Sequence, residues 1–326
     1  MQTRPLGRTG IDVSEIGFGA WGIGGATPGA TSYGARDDAE SLAALDRALA
    51  EGITFFDTSS VYGYGHSEAL IGRAFAGRRE RVVIATKAGF TRYDAAPDHS
   101  PASLRRSLEG SLERLGTDHV DLLQLHNAPI EQLRQDPDIL ATLQALRAEG
   151  RIRAFGLSIK TMDEGVAAIR DFAVPVLQLN LNMMDLRAID SGLLELAEAT
   201  GTGIIARTPL CFGFLAGTLS PDAEFAADDH RSAWPRAQIR AWAEGAALTL
   251  GAVADRPGQN GVVKALRFCL SYPAVSTVIP GLLRPAEVSE AAAAGRFGAL
   301  SRDERASVEA LNRSYDFLVR RAKLQP

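Results

Sequence analysis

Three titratable side chains of different chemistry each stand where an apolar run stops. Asp57 ends Ile53-Thr54-Phe55-Phe56, Lys87 ends Val82-Val83-Ile84-Ala85-Thr86, and His126 ends Leu122-Leu123-Gln124-Leu125. Tyr62 follows the first run on a polar loop that continues into Gly63, Tyr64 and Gly65. Ile, Val and Phe favour a pleated, half-buried setting, so each polar residue sits at the end of a buried strand. Each has a bland reading taken alone. Asp57 could cap a turn, Tyr62 could pack a loop, Lys87 could be solvated and His126 could cap a strand. Recurrence at the corresponding point of three consecutive strands argues instead for one shared site.

The set makes chemical sense. A phenol with a pKa near ~10 is a poor proton donor at neutral pH. A buried ammonium beside it favours the phenolate and makes it a better acid. The ammonium in turn needs a carboxylate, or desolvation would neutralise it. Asp57, Lys87 and Tyr62 supply that order. A neutral imidazole from His126 can orient a carbonyl oxygen next to the phenol. This is a proton-donating site for a carbonyl that receives a hydride. Ser158, after a fifth strand, and Gln178, inside a sixth, add polar groups at the same level. Gln178 could also simply satisfy a core backbone group.

The elements that must position these residues alternate along the chain. Residues 4–13 read as a short hairpin with a glycine turn. Ile16 to Trp21 reads as a first core strand. The glycine-rich loop from Gly22 to Gly34 lacks the Lys-Ser/Thr of a phosphate loop and is not followed directly by a helix, so it reads as an ordinary loop. Helices are expected at 37–51, 67–75 with Ser67 as cap, 100–115 with Pro101 in the first turn, 138–149, 162–171 and 191–199. Strands are expected at 53–57, 81–87, 120–126, 152–159, 176–182, 203–207 and 276–280. A long loop from Thr208 to about Trp234 breaks the rhythm. Further helices are expected at 234–250, 261–270, 285–294 and 303–318. The count is about eight strands, each followed by a helix. The nearly continuous apolar runs suit buried parallel strands. A (β/α)8 TIM barrel with an N-terminal hairpin and extra C-terminal helices fits this best. A doubly wound sheet is the rival, and the missing dinucleotide fingerprint weighs against it. No composition shift divides the 326 residues, so one barrel domain over 1–326 is expected.

A net charge of −4 with no basic run argues against a nucleic-acid surface. No apolar run approaches the ~20 residues of a membrane helix, and the N-terminus lacks the apolar core of a signal peptide. Two cysteines far apart, Cys211 and Cys269, argue against a disulfide framework or a structural zinc site. The expectation is a reduced, cytoplasmic protein without a bound metal, and the sequence leaves its oligomeric state open.

With their surroundings these residues resemble the aldo-keto reductase family along essentially the whole chain. The matching pieces are Phe56-Asp57-Thr58-Ser59 with Tyr62-Gly63 and Ser67-Glu68, then Ala85-Thr86-Lys87 and Asp121 to His126. Gly156-Leu157-Ser158, Gln178, Arg207-Thr208-Pro209-Leu210 and Val278-Ile279-Pro280-Gly281 complete them. The resemblance implies a catalytic tetrad of Asp57, Tyr62, Lys87 and His126. It implies a nicotinamide dinucleotide, NADP(H) favoured and NAD(H) possible, bound extended without a Rossmann motif. Ser158 and Gln178 would hold the carboxamide, with Trp21 and Asp57 nearby. Thr208, Pro209 and Leu210 would lie along the pyrophosphate, Arg207, Gly213 and Leu215 would also contact the cofactor, and the region Gly281 to Glu290, with Arg284 and Glu287, would hold the adenosine end. The substrate pocket would draw on Trp21, Tyr62, Phe90, Tyr93, His126 and Asn127, with Asp228, Asp229, His230, Arg231 and Trp234 on the long loop.

Several positions depart from the family pattern. Ile159 stands where many members have Asn. Arg207 replaces an aromatic residue and could reach a cofactor phosphate. Leu283, Glu287 and Ala291 replace Arg, Gln and Asn after Ile279-Pro280-Gly281. A carboxylate at 287 would repel a 2′-phosphate, whereas Arg284 could pair with one. Cys211 reads as a small packing residue. The expected activity is NAD(P)H-dependent reduction of a small aldehyde or ketone, sugars included. Two alternatives share the fold: use of the cofactor without net redox, as in sugar epimerisation or dehydration, and a non-catalytic nucleotide-sensing subunit.

Overall fold

Alternation along each strand organises the molecule. In the computed structural model, which describes residues 1–28 and 31–317, Phe55 faces one core cluster and Phe56 another. The chain begins with β1 (Thr3–Pro5) and β2 (Asp12–Ser14), an antiparallel hairpin pairing Thr3 with Ser14. The parallel strands follow: β3 (Phe18–Gly19), β4 (Phe55–Asp57), β5 (Val83–Ala88), β6 (Val120–His126), β7 (Ile152–Ser158), β8 (Val176–Asn180), β9 (Gly203–Arg207) and β10 (Val275–Ile279). These eight strands pair in sequence order. Bridges from Ile16 to Val278 and from Gly19 to Gly281 close the ring. The (β/α)8 barrel expected from the sequence is therefore the fold, with its N-terminal hairpin.

The barrel interior holds Phe55, Ala85, Leu122, Ala154, Val176, Ile205 and Ile279, joined by Leu6, Ile11 and Val13 from the hairpin. The hairpin thus plugs the end of the barrel at which the strands begin. Two residues further along, the same faces carry Asp57, Lys87, Gln124, Gln178 and Arg207, and two more reach His126. A period of two fixes this, because alternate side chains share one face. The apolar layer below and the polar layer above come from one rule.

The helices are α1 (Asp38–Ala50), α2 (His66–Phe75), α3 (Pro101–Leu115), α4 (Ile130–Gln135), α5 (Asp138–Ala148), α6 (Met162–Phe172), α7 (Arg187–Asp190), α8 (Leu193–Thr200), α9 (Arg236–Gly251), α10 (Gly261–Leu270), α11 (Pro285–Phe297) and α12 (Arg302–Ser314). Their inner faces bury the larger core, which includes Leu45, Leu70, Leu104, Leu143, Ile169 and Leu266. Asp37 caps α1 and Ser100 caps α3, with Pro101 in its first turn. Such caps satisfy amide groups that a helix leaves unpaired.

Some boundaries differ from expectation. Ser67 does not cap α2. Its hydroxyl donates to Ala20 O at 2.8 Å and meets Thr58 Oγ1 at 2.8 Å, while left-handed Gly65 precedes the helix. The first core strand shrinks to Phe18–Gly19 because its remaining pairing is through single bridges. Short helices α4 and α7 were not foreseen, being too brief to show a period. The last helix ends at Ser314, and Leu318, its expected end, lies outside the described residues, as do Gly29 and Ala30 of the glycine-rich loop.

The Tyr62 loop packs closely. Gly63 is left-handed (φ +60°), and a Cβ there would lie 2.1 Å from Gly24 O. Backbone on both sides leaves nothing to yield. Gly63→Ala should destabilise the protein by roughly 1–3 kcal/mol, the range for strained backbone and overpacking. Urea unfolding measures this, and an unchanged midpoint would contradict the packing.

Candidate active site

Asp57 and Lys87 end adjacent strands and meet in a buried ion pair. Lys87 Nζ donates to Asp57 Oδ1 at 2.5 Å, to Thr58 O at 2.9 Å and to Tyr62 Oη at 3.2 Å. All three ammonium protons thus have acceptors. Burial alone would push Lys87 down. Asp57 first and Tyr62 next outweigh it, so Lys87 is held above its ordinary range.

The second oxygen of Asp57 is also fixed. Asp57 Oδ2 accepts from Gln124 Nε2 at 3.0 Å and from Gln178 Nε2 at 2.7 Å, and Gln178 Nε2 lies 3.2 Å from Gln124 Oε1. The two amides hold the carboxylate so that its other oxygen faces Lys87. Gln124 was not singled out from the sequence. Its signal was there, since it lies two residues after inward Leu122 and two before His126, on the same face of β6.

His126 sits across from Tyr62, with ring centroids 6.1 Å apart and planes at 87°. Its Nδ1 is 3.2 Å from Ser59 Oγ, which also accepts from Val61 N at 3.4 Å. A Ser59 hydroxyl donating to Nδ1 leaves the ring proton on Nε2, whereas the other tautomer has Nδ1 donate to Ser59 Oγ. Burial, then the Lys87 and Arg207 charges, push His126 well below its usual range, so it is neutral. His99 Nε2 lies 3.2 Å from His126 O, and Phe90 packs on the ring at 5.1 Å.

The remaining expected residues divide by location. Ser158 Oγ donates to Asn127 Oδ1 at 2.9 Å, and Asn127 is left-handed (φ +53°) directly after His126. Trp21 Nε1 donates to Tyr93 Oη at 3.0 Å, at the exposed side of the mouth. After β9, Thr208, Cys211, Phe212 and Gly213 all have positive φ, and Pro209 and Leu215 are buried beneath that turn. Leu210 lies partly buried against the outer core. Such turned backbone makes concavities suited to anions. At β10, exposed Gly281 leads to Arg284, which is half-exposed and 3.4 Å from Glu40. Glu287 Oε2 accepts from Leu283 N at 2.8 Å, and Glu290 accepts from Asn260 Nδ2. Both carboxylates are therefore engaged by this chain's own donors. Cys211 is buried, its thiol pushed up by burial, as a packing residue would be.

Arg207 has an unusual setting. Its Nη2 crosses from β9 to Ile159 O, at the end of β7, at 2.9 Å, and its buried Nε has no partner. Two loops meet over the mouth. His230 N donates to Ser32 O at 2.9 Å, Ala35 N donates to Asp228 Oδ2 at 3.2 Å, and Tyr33 bridges Asp229. Trp21, Tyr33 and His230 pack edge to face at about 5 Å, which seals the join. Among the described residues no group of three or more His, Cys, Asp or Glu side chains could hold a metal, and no helix is long and apolar enough to cross a membrane.

A parallel barrel with a Tyr–Lys–Asp relay and a neutral histidine at its C-terminal mouth defines a carbonyl oxidoreductase by class. The family model "Aldo/keto reductase family" matches residues 15–313, and the chain belongs to that family. It is an NAD(P)H-dependent oxidoreductase of a family that acts on small carbonyl substrates. The aldo-keto reductase YhdN of Bacillus subtilis is 30% identical over 301 residues, covering 88% of this chain and 87% of its own. The L-galactose dehydrogenase of Arabidopsis thaliana is 30% identical, covering 90% and 88%. The structure of a glycerol dehydrogenase from Gluconobacter oxydans superposes with a TM-score of 0.80 at 28% identity, covering 99% of both chains.

The neutral His126 carries a pH consequence. Below about pH 6.5 an unfolded imidazole takes up a proton. The folded His126 refuses it, so stability falls as pH drops through that range. His126→Gln removes this contribution. Its urea midpoint should lose less than wild type between pH 7.5 and 5.5, and an equal loss would contradict a neutral buried ring.

Proposed function

We propose that the protein reduces the aldehyde or ketone of a polar, hydroxyl-bearing small molecule, with Tyr62 as the proton donor. The observation that carries this is the chain of contacts from Asp57 through Lys87 Nζ to Tyr62 Oη. A bound NAD(P)H supplies the hydride. Tyr62 gives its proton to the carbonyl oxygen, and the Lys87 ammonium stabilises the phenolate left behind. Asp57 keeps Lys87 charged, and Gln124 and Gln178 keep Asp57 aimed. His126 donates from Nε2 to the same oxygen and orients it.

The residues present suit a nicotinamide dinucleotide. The turned backbone after Thr208 and the free N-terminal turn of α11 behind Arg284 offer anion-binding amides. Arg207 brings an unpartnered donor to the mouth. Ser158 and the outer oxygen of Gln178 would hold the carboxamide. The relatives named for L-galactose and glycerol favour polyhydroxylated substrates here too. Trp21, Phe90, Tyr93 and Asn127 would line their path.

Tyr62→Phe keeps the ring but removes the donor. The kcat should fall by roughly 10²-fold or more, as loss of general acid catalysis does. Near wild-type turnover would overturn the assignment.

Both cofactors are expected to bind, with NADPH preferred only weakly, because Glu287 stands in the first turn of α11 beside Arg284. Glu287→Gln should shift the NADPH/NADH ratio of kcat/KM towards NADPH, tenfold for each ~1.4 kcal/mol relieved. An unchanged ratio would place Glu287 away from the ribose, held wholly by Leu283 N.

A further inference from the structure

We propose that Arg207 makes the site select the reduced, uncharged nicotinamide over the oxidised, cationic one. This rests on the functional reading above. The geometry begins with strand alternation. Ile205 faces the inner core, so Arg207, two residues on, faces the mouth. Its guanidinium spans the top of β8 to reach Ile159 O at the end of β7. It therefore lies across the side of the mouth that holds Ser158 and Gln178.

Among the described residues its hydrogen bond is to a backbone carbonyl and no carboxylate pairs with it, and its Nε is buried without a partner. A partly buried, unpaired guanidinium is costly, because the charge loses water without gaining a counter-ion. Burial lowers Arg207 from its ordinary range, and the charges next felt are those of Tyr62 and Asp57. His126 feels Arg207 in turn, after Lys87. The Arg207 charge thus acts on the same mouth as Tyr62 and His126.

The position of the acid limits where the hydride donor can be. Tyr62 must reach the carbonyl oxygen, and the hydride must reach the carbon bonded to that oxygen. A nicotinamide ring able to deliver that hydride would stand one carbonyl group away from Tyr62, on the side of the mouth that Arg207 crosses. Hydride transfer turns a neutral ring into a cation, while the carbonyl takes the hydride at carbon and the Tyr62 proton at oxygen. Arg207 repels the ring in its oxidised state and is indifferent to its charge in the reduced state. A ligand that differs in affinity between two states shifts their equilibrium by that difference. Arg207 thus weakens binding of NAD(P)+ relative to NAD(P)H and speeds departure of the oxidised form.

The test is the ratio of dissociation constants, Kd(oxidised)/Kd(reduced), for one dinucleotide by fluorescence or calorimetric titration. Arg207→Gln should lower this ratio roughly tenfold, the change made by ~1.4 kcal/mol. Arg207→Lys keeps the charge and should keep the ratio within about threefold of wild type. A ratio in Arg207→Gln within twofold of wild type, or higher, overturns the proposal. If Arg207→Gln does not fold, a tenfold fall in Arg207→Lys overturns it, and a retained ratio supports it. Should wild type bind neither form, the functional reading falls as well; binding of both with an Arg207-independent ratio refutes this proposal alone.

Discussion

A buried ion pair at the top of a barrel sets the terms for everything around it. Asp57 and Lys87 are both almost fully buried. Removing one partner of such a pair leaves an uncompensated charge, at about 3–5 kcal/mol. The protein therefore surrounds it with complete hydrogen bonding. Lys87 uses three acceptors and Asp57 three donors. The same satisfaction that makes the charges tolerable also aims them. An ammonium with only one remaining direction points at Tyr62, the direction that the proposed proton transfer uses.

This arrangement needs the rigid frame of the barrel. Asp57 pairs with Ala85 in the ladder and Lys87 with Gln124, so backbone register places the carboxylate, ammonium and amide side by side. The Ser59–Val61 loop then leads into Tyr62 and gives the His126 ring its hydroxyl partner. Further out, Thr86 donates to Glu68, which also holds Arg114 at 2.7 Å. That buried contact ties α2 and α3 to the strand carrying Lys87. Each shell orders the one inside it.

Much of this was legible in the chain. Long apolar runs with polar ends revealed the strands, because burial on both faces demands them. Asp57, Lys87 and His126 were visible because a charge after such a run has few reasons to be there. Gln124 was harder to see. A neutral amide inside a strand resembles core filler, and its role emerges only when register sets it against Asp57. Ser67 misled because a serine before a helix usually caps it, whereas here its hydroxyl is taken by tertiary partners, the Ala20 carbonyl as acceptor and the Thr58 hydroxyl beside it. Arg207 could be noticed in sequence but not interpreted. Its reach to Ile159 crosses a whole strand, and no local pattern encodes that. The engagement of Glu287 by Leu283 N, a local turn, was equally invisible without coordinates.

The stitched loops over the mouth have an evolutionary consequence. Residues 31–35 and 228–231 share backbone bonds as well as the aromatic join of Trp21, Tyr33 and His230. Segments nearly two hundred positions apart thus form one inheritable unit. Change in either alone would unfasten the seam, so reshaping the mouth calls for paired change across both segments. Grafting one loop from a relative would import half of a lock.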